Sequence, residues 1–229
     1  MNPLISKALS EGRSVLLEPE AKELCSSYGI PTPRFKVASS PAEAVEAAKS
    51  IGLPVVVKIV SKDILHKSDV GCVELNVSTY QGVEEAYRRV VENALRHNPN
   101  AEVRGVLVEE MLPRGVEVAV GSIRDLEFGP AVMFGLGGVF IEVLRDVTFR
   151  VAPVSEEEAE EMIAEVKGFK VLTGYRGVEP VDLKCIAKII ARVSEMVLEN
   201  EEISQLDLNP IIAWSSGAKV ADARVILSV

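Results

Sequence analysis

A lysine stands inside an apolar run of the sequence. Residues 55–60 read VVVKIV, and such a run of β-branched side chains predicts a buried strand. Burying an unpaired ammonium group is costly, so Lys58 must either extend its aliphatic stem to water or meet an anion. A lysine aimed by a rigid strand is also a suitable phosphate ligand. The sequence leaves both interpretations open: a surface lysine or part of a phosphate site.

A polar, irregular segment follows that strand and carries one of the two histidines. Residues 61–71 read SKDILHKSDVG and are flanked by predicted strands, which indicates an exposed loop around His66. Histidine can be a nucleophile at neutral pH because its unperturbed pKa is about 6.5. A lone histidine is, however, more often structural. The other one, His97, lies near the end of a predicted helix, where a cation is favourable.

Acidic side chains lie around another predicted strand boundary. Glu109 and Glu110 end an apolar strand, and Glu117 begins the next one. They are compatible with a general acid and base, and equally with the solvated ends of two strands. The glycine-rich residues 134–138 (FGLGG) offer amides that could hold an anion or simply form a tight turn. They lack the Gly-Lys-Ser/Thr of a Walker A loop.

Asp207, Asn209 and Asp222 are candidates for a metal site. Asp207 and Asn209 lie two apart in a predicted strand, so both point to one face, while the leucines between and before them point to the other. Asp222, on the next predicted strand, could lie beside them across a hairpin. Oxygen ligands on one rigid face suit Mg²⁺, which typically takes one or two carboxylates plus substrate phosphates. A plain polar outer face of a sheet explains the same alternation.

The composition excludes several classes of partner. The chain has 229 residues and a net charge of −9, with no run of Lys or Arg, so neither nucleic acid nor an anionic membrane surface is expected to bind. Its three scattered cysteines fit neither a disulfide framework nor a zinc site. Residues 1–9 lack the apolar core of a signal peptide, and no apolar stretch approaches the roughly 18 residues of a membrane span. We therefore expect a cytoplasmic protein.

Helical and extended patterns alternate along the chain and predict an α+β fold of two lobes. Ser40 and Pro41 open a helix that Gly52 closes, and Ser155 with Glu158 forms a capping box at the start of another. Helices are predicted at residues 18–28, 41–51, 83–97 and 182–198, and one more helix is predicted after Pro153. Strands are predicted at residues 55–60, 72–77, 105–111, 116–122, 131–134, 139–144, 204–213 and 218–227.

Several short segments, taken in order, resemble the ATP-grasp subunit of ADP-forming acyl-CoA synthetases, relatives of succinyl-CoA synthetase. The resemblance spans nearly the whole chain. Its segments are EPEAKEL at 18–24, YGIPTP at 28–33, VVK at 56–58, HKSDVG at 66–71, VEEM at 108–111, FGLGG at 134–138 and DLNP at 207–210. It implies an ATP-grasp fold with nucleotide bound between two α/β lobes, divided into an N-terminal arm (1–17), a small-lobe region (18–108) and a large lobe with the metal-binding strands (109–229).

The same resemblance implies an activity and a partner. In this family acyl-CoA, ADP and phosphate exchange with the free acid, CoA and ATP. A separate CoA-binding alpha subunit forms an acyl phosphate, and a histidine there takes the phosphoryl group. A second histidine, matched by His66, then relays it to the nucleotide. The implied cofactors are ATP or ADP and Mg²⁺, and the implied assembly contains two copies of each subunit. The acyl group is not determined by this chain.

Individual roles follow from the matched positions. Lys58 matches a lysine on the nucleotide phosphates, and Asp207 matches the carboxylate that hydrogen-bonds the incoming phosphohistidine. The adenine-binding strand is matched by Glu109, Glu110, Met111 and Leu112, the ribose-binding acid by Glu117, and the Mg²⁺ ligands by Asn209 and Asp222. Cys72 departs from the family pattern, which has a glycine there, and a side chain at this position would narrow the approach of the backbone to phosphate.

Two other functions remain open from the sequence. An ATP-grasp carboxylate–amine ligase would use an acyl phosphate directly and would not need His66. A nucleotide-sensing subunit would bind ATP and transfer nothing. A plain structural domain would make Lys58, His66 and the three candidate metal ligands coincidences.

Overall fold

The computed structural model describes residues 2–64, 66–137, 145–177 and 179–228. The chain forms two compact units. Residues 17–19 and 33–113 form one, called here the Lys58 unit, and residues 1–16, 20–32 and 114–229 form the other, called the Asp207 unit. Both combine helices with antiparallel sheet, so the predicted α+β class is confirmed. The predicted strand at 139–144 and Gly138 lie outside the described residues.

The predicted helices and strands within the described residues occur in the predicted order, and the structure adds elements at 3–10, 35–38, 147–151 and 169–172 that the sequence patterns did not predict. The helices are α1 (Pro3–Ser10), α2 (Glu18–Ser27), α3 (Pro41–Ile51), α4 (Tyr80–His97), α5 (Glu156–Glu165), α6 (Phe169–Leu172) and α7 (Leu183–Glu199). The strands are β1 (Phe35–Ala38), β2 (Val55–Ser61), β3 (Val73–Val77), β4 (Val103–Glu110), β5 (Val116–Asp125), β6 (Gly129–Leu136), β7 (Val147–Val151), β8 (Ile203–Trp214), β9 (Gly217–Val220) and β10 (Ala223–Leu227).

In the Lys58 unit, an antiparallel sheet of order β1-β4-β2-β3 packs against α3 and α4. Small residues such as Ala48 and Ala86 let the helices approach the buried valines of β2 and β4 closely. The predicted start and stop of α3 are confirmed. Ser40 Oγ accepts a hydrogen bond from Glu43 N, Pro41 begins the helix, and Gly52 ends it with φ of +97°.

In the Asp207 unit, the sheet order is β10-β8-β5-β6-β7, with β9 paired to β8. One face of this sheet packs on α5 and α7, and α1 and α2 contribute to the same core. The other face is exposed at Ile123, Phe149 and Val151. Leu206 and Leu208 point into the core, whereas Asp207 is exposed, as the alternation along β8 predicts.

The strand predicted at residues 218–227 is two strands in the structure. The amides of Ala221 and Asp222 both point to Pro210 O, at 2.9 and 3.4 Å, and this bend separates β9 from β10. Asp222 therefore lies in a bend beside β8 instead of on a continuous strand.

The structure divides the chain differently from the predicted lobes. Residues 1–16 are part of the core of the Asp207 unit: Ile5 and Ala8 are fully buried, and Leu16 N donates to Val225 O at 3.0 Å. They do not form a separate arm, because the apolar face of α1 would otherwise be exposed to water. The sequence analysis placed the boundary between the two lobes after residue 108, whereas the Lys58 unit extends to Pro113. The reason is that β4 continues to Glu110 and pairs with β1 and β2.

None of the helices in the described residues has both the length and the apolar character that a membrane crossing requires.

Burial of α1 gives a stability prediction. Ile5→Ala should lower the free energy of unfolding by about 2–5 kcal/mol, because it removes a fully buried side chain from a close-packed core. Ser6→Ala, one position along the same helix and exposed, should change it by less than about 0.5 kcal/mol. Urea unfolding of both variants measures the difference. Equal stability of the two variants would mean that α1 is a dispensable arm.

Candidate functional site

Lys58 is buried and paired with carboxylates. Its Nζ lies 2.9 Å from Glu18 Oε1 and 2.7 Å from Glu109 Oε1. Lys67 Nζ completes the cluster at 3.1 Å from Glu18 Oε2. The four side chains are only 7%, 4%, 3% and 14% exposed for Lys58, Glu18, Glu109 and Lys67. Lys58 therefore does not extend to water, and the anion-paired interpretation is the one that the structure supports.

Sheet register and a helix start bring the members of this cluster together. Lys58 lies across from Leu107 on β4, and Glu109, two residues further along β4, points to the same face. Glu18 is the first residue of α2, where a negative charge is favoured by the helix dipole. Sequence reasoning missed Glu18 and Lys67 as partners, because no local spacing signals a contact across 40 residues.

The loop that carries His66 is held by two contacts on the C-terminal side of this residue. Lys67 is fixed by its ion pair with Glu18, and Gly71 O accepts a hydrogen bond from Asn93 Nδ2 at 2.7 Å. Gly71 has φ of +67°, which favours glycine. His66 itself is exposed and has no side-chain hydrogen bond within the described residues. The loop thus presents an accessible imidazole from an anchored base.

Cys72 does not have the effect that the sequence suggested. Its side chain is fully buried, and its Sγ donates to Val90 O of α4 at 3.5 Å. Burial raises the pKa of this thiol, which keeps it protonated. Because the side chain points to α4, it does not narrow the exposed side of the His66 loop.

The candidate adenine-binding segment lies at the end of β4. Glu109 is buried in the Lys58 cluster, whereas Glu110 Oε2 accepts a hydrogen bond from Arg34 N at 3.2 Å. Met111 N donates to Pro54 O at 3.3 Å, and Leu112 is buried. The two adjacent acids therefore have different contacts. Glu109 belongs to the Lys58 cluster, and Glu110 connects the end of β4 to Arg34, which precedes β1.

Asp207, Asn209 and Asp222 lie near one another in the Asp207 unit. Asn209 N donates to Asp222 O at 3.2 Å, and Asp222 Oδ1 accepts from Ala223 N at 3.1 Å. Asp207 lies directly across from Arg224 on β10. Loss of water around the Asp207 carboxyl raises its pKa, the charge of Asp222 raises it further, and the Arg224 guanidinium opposes both. Two carboxylates thus lie close enough to repel each other.

This donor set fits a small, hard cation. Within the described ranges, no cluster of three or more His, Cys, Asp and Glu side chains forms a metal site on its own. Mg²⁺ needs fewer protein ligands, since it keeps waters and substrate phosphates in its coordination shell. One amide oxygen from Asn209 and one carboxylate from Asp222, with a second negative charge at Asp207, match that requirement.

A cavity of about 410 Å³ lies on the open face of the sheet in the Asp207 unit. Its lining residues are Gly121, Ser122, Ile123, Met133, Phe149, Gln205, Leu206, Asp207, Asn209, Arg224 and Ile226. The sequence analysis did not identify Arg224 as a site residue. A signal was present, because Arg224 lies two residues after Asp222 on β10, the strand that pairs with β8. The cavity combines charged groups on β8 and β10 with apolar side chains on β5, β6 and β7.

The glycine-rich segment does not form an anion cradle in its described part. Residues 134–136 belong to β6, between β5 and β7, and Gly137 N donates to Glu117 O at 2.7 Å. A Cβ on Gly137 would lie 2.9 Å from Glu117 Cβ, so a glycine is needed for this close approach. The Glu117 side chain remains exposed on β5.

The candidate residues thus fall into two groups. Lys58, His66, Glu109, Glu110, Met111 and Leu112 belong to the Lys58 unit, and Glu117, Asp207, Asn209 and Asp222 belong to the Asp207 unit. Each group lies within its own unit, on strands and on the loops that directly adjoin them.

Comparison with known proteins gives concordant results. Residues 7–227 match the family model of the ATP-grasp domain. The chain is 51% identical over 224 residues to the acetate–CoA ligase (ADP-forming) I subunit beta of Pyrococcus furiosus, and the match covers 98% of this chain and 96% of that one.

Solved structures agree with the sequence comparison. An acetyl-coenzyme A synthetase 1 of Candidatus Korarchaeum cryptofilum, in complex with coenzyme A and Ca-AMPCP, superposes with a TM-score of 0.97 at 54% identity over 98% of both chains. Another structure of that synthetase contains coenzyme A and Mg-AMPPCP, with its phosphohistidine segment pointing towards the nucleotide binding site. It matches at a TM-score of 0.87 and 51% identity, again over 98% of both chains.

The two adjacent acidic residues at the end of β4 give a matched pair of variants. Glu109→Gln should lower the free energy of unfolding by about 3 kcal/mol, because it leaves a buried ammonium group short of one carboxylate. Glu110→Gln weakens only a partly exposed contact with Arg34 and should cost less than about 1 kcal/mol. Chemical denaturation at pH 7 compares them. A larger loss for Glu110→Gln would contradict the structural role assigned to Glu109.

Proposed function

The chain belongs to the ATP-grasp domain family and, within it, to the ADP-forming acetate–CoA ligase beta subunits, and we propose that it carries the nucleotide-dependent half of that reaction. The enzyme is a ligase that interconverts acyl-CoA, ADP and phosphate with the free acid, CoA and ATP. The observation that carries this proposal is the 51% identity to a beta subunit across nearly the full length of both chains.

His66 is the proposed carrier of the phosphoryl group. It is exposed on an anchored loop, and the related Korarchaeum synthetase has a phosphohistidine segment that points towards its nucleotide site. In the direction of ATP synthesis, a terminal oxygen of ADP attacks phosphorus, the P–O bond forms and the P–N bond breaks. The electron pair of that bond stays on the ring nitrogen. If the other ring nitrogen carries its proton, the ring leaves as neutral imidazole, and no further proton has to move.

Asp207 is proposed to keep that second ring nitrogen protonated. Its carboxylate is exposed on the open face of the sheet and can accept a hydrogen bond from the imidazole N–H. A carboxylate beside a reactive histidine commonly fixes the tautomer and stabilises the positively charged ring. Asp207 therefore acts on the leaving group, not on the phosphoryl oxygens, which its negative charge would repel.

Lys58 is proposed to bind the nucleotide phosphates. Its ammonium group is already held by Glu18 and Glu109, so a phosphate would share or replace carboxylate contacts. The strand fixes the position of the charge before the ligand arrives, which limits the reorganisation that binding requires. The backbone of Glu109, Glu110, Met111 and Leu112 is proposed to pair with adenine, and Glu117 to hold the ribose.

Asn209 and Asp222 are proposed to hold Mg²⁺. A bound Mg²⁺ ion would neutralise charge on the phosphate oxygens, which is the main requirement of phosphoryl transfer. The two residues are kept adjacent by the hydrogen bond from Asn209 N to Asp222 O. Asn209 lies two residues after Asp207 on β8, and Asp222 lies just before β10, so the two proposed metal ligands are near the carboxylate that is proposed to meet the histidine.

A CoA-binding alpha subunit is the proposed partner. The Pyrococcus relative is named as a beta subunit, and the Korarchaeum structures contain coenzyme A. We infer that this chain supplies the nucleotide site, that the partner chooses the acyl group, and that two copies of each subunit assemble in the cytoplasm.

The proposal is tested by labelling the histidine. The purified chain is incubated with γ-labelled ATP and Mg²⁺, with and without the CoA-binding subunit, and assayed for acid-labile, base-stable label. Wild type and His97→Asn should be labelled and His66→Asn should not, because only His66 lies on the candidate relay loop, whereas His97 ends α4. Absence of label from the wild type under both conditions would favour a carboxylate–amine ligase or a nucleotide sensor.

The metal assignment is tested by binding, without turnover. Asp222→Asn should raise the Kd of the Mg²⁺ complex of a non-hydrolysable ATP analogue by at least about tenfold, because it removes one negatively charged ligand. The Kd of the metal-free analogue should change little. Calorimetric titration measures both values. An equal change in the two would assign Asp222 to the nucleotide pocket in general and not to the metal.

A further inference from the structure

Arg224 carries a buried donor that has no acceptor. Within the described residues, its Nε is buried and makes no hydrogen bond. Buried polar atoms of this kind are uncommon in native proteins and require an explanation. The atom belongs to a permanent cation, since a guanidinium group is not deprotonated in proteins. A ligand with acceptor oxygens would compensate a charge that the fold keeps partly out of water.

Other arginines of the Asp207 unit show the contrast. Arg13 is buried, and it donates to both carboxylate oxygens of Glu20 at 2.7 and 2.9 Å. Arg124 donates to the carbonyl oxygen of Ile203 at 3.1 Å. Both guanidinium groups therefore have a clear structural role. Arg224 has no comparable set of acceptors among the residues that the structure describes.

Arg224 lies on the open face of the sheet. Its neighbours Ala223 and Val225 are buried in the core, whereas Arg224 lines the cavity of about 410 Å³. Strand register places it directly across from Asp207. The two charges are close enough to influence each other, but no ion pair or hydrogen bond joins the two side chains in the described structure. The guanidinium group is thus directed to the cavity and not consumed by its cross-strand partner.

The proposed metal ligands occupy the next positions along the same face. Asn209 lies two residues after Asp207, and Asp222 lies two residues before Arg224. The hydrogen bond from Asn209 N to Asp222 O continues the pairing of β8 and β10 to these positions. Two residues of a strand span roughly 7 Å. All four residues belong to the Asp207 unit, so this arrangement is formed within a single unit.

A phosphoryl group fits the interval between the metal ligands and Arg224. Mg²⁺ usually keeps oxygens of a substrate phosphate in its coordination shell. A phosphoryl group has three strong acceptor oxygens, so an oxygen that is not on the metal can accept from a donor on the adjacent residue pair. A guanidinium group presents a planar fork of donors that suits phosphate, and such charge-assisted hydrogen bonds are among the strongest.

The sheet leaves room for this group. On β5, Gly121 lies across from Asp207 and also lines the cavity. A Cβ at Gly121 would lie only 3.1 Å from Met133 Cε and 3.2 Å from Leu206 O, so a side chain would occupy part of this space. The lack of a side chain keeps the cavity open beside Asp207 and Arg224.

We propose that Arg224 binds the terminal phosphoryl group of a Mg²⁺-bound nucleoside triphosphate and so distinguishes a triphosphate from a diphosphate. This inference rests on the proposed function and adds a residue to it. The terminal group is the one assigned, because the direct partner of Arg224 is Asp207, the carboxylate proposed to act on the leaving group of phosphoryl transfer. The phosphoryl group beside that carboxylate is therefore the one that is transferred.

Charge balance also requires a cation at this position. A terminal phosphoryl group carries a charge of about −1.5 to −2 at neutral pH, and here it would approach the carboxylates of Asp207 and Asp222. Like charges in a partly desolvated site repel each other. Mg²⁺ offsets part of this repulsion at Asp222, and Arg224 offsets the rest from its position opposite Asp207.

The test compares Arg224→Gln and Arg224→Lys in the full chain, with Arg192→Gln as the control. Arg192 lies on α7 of the same unit and makes only a partly exposed pair with Glu195. Calorimetric titration gives the Kd of the Mg²⁺ complexes of a non-hydrolysable ATP analogue and of ADP. Arg224→Gln should raise the Kd of the triphosphate analogue by at least about tenfold, because it removes a charge-assisted contact. The Kd of ADP should stay near the wild-type value.

The other variants separate a phosphate contact from a structural role. Arg224→Lys should recover part of the triphosphate affinity, because it keeps the charge and loses the fork, and Arg192→Gln should match the wild type. The thermal unfolding midpoint of Arg224→Gln should stay near the wild-type value, since no hydrogen bond of Nε is lost within the described residues.

The outcomes that contradict the inference are distinct from those that contradict the proposed function. An unchanged Kd of the triphosphate analogue in Arg224→Gln, or an equal rise of the Kd for both nucleotides, would overturn the inference alone. If Arg224→Gln does not fold, Arg224→Lys decides by the same comparison: a rise confined to the triphosphate supports the inference, and any other result overturns it. Failure of the wild type to bind either nucleotide would reject the proposed function, and the inference with it.

Discussion

Neutralisation of the Lys58 ammonium group is the constraint on which the rest of the Lys58 unit depends. A charge in the middle of an apolar strand is tolerated only if anions reach it. Glu109 does so from the neighbouring strand and Glu18 from the first residue of α2, while Lys67 holds Glu18 from the other side. Such a network adds little stability compared with an apolar core, but removing one member leaves a buried charge. The cluster thus holds the Lys58 ammonium group in a defined position, and replacing Glu18 or Glu109 is expected to destabilise the unit.

The same cluster couples the candidate phosphate ligand to the candidate relay loop. Lys67 follows His66 in sequence and shares Glu18 with Lys58. A phosphate that competes for Lys58 would therefore redistribute the charge on Glu18, and with it the anchor of the His66 loop. Glu18 therefore joins the proposed phosphate ligand, Lys58, to the segment that carries His66 through two ion pairs.

An acidic chain that handles phosphates needs its few cations in defined places. The net charge of −9 gives no general attraction for polyanions, so binding has to rely on individual groups. In the Lys58 unit the cation is paired in advance with carboxylates, whereas in the Asp207 unit Arg224 lies opposite a carboxylate without a direct ion pair. Both sheets have helices on one face, and this leaves the opposite face of the Asp207 unit open for polar side chains.

The sequence by itself determined most of the elements and the family. Alternation along β8 separates Asp207 from Leu206 and Leu208, and the caps of α3 fix its ends, because both signals are local. The ordered motifs identified the family, and the comparisons confirmed it. Only the tertiary structure decided what depends on contacts between distant residues: the pairing of Lys58 with Glu18, the burial of the Cys72 thiol against α4, the inclusion of α1 in a core, and the position of Arg224 across from Asp207. Such contacts follow from strand register and helix packing, which bring together residues that no short-range pattern relates.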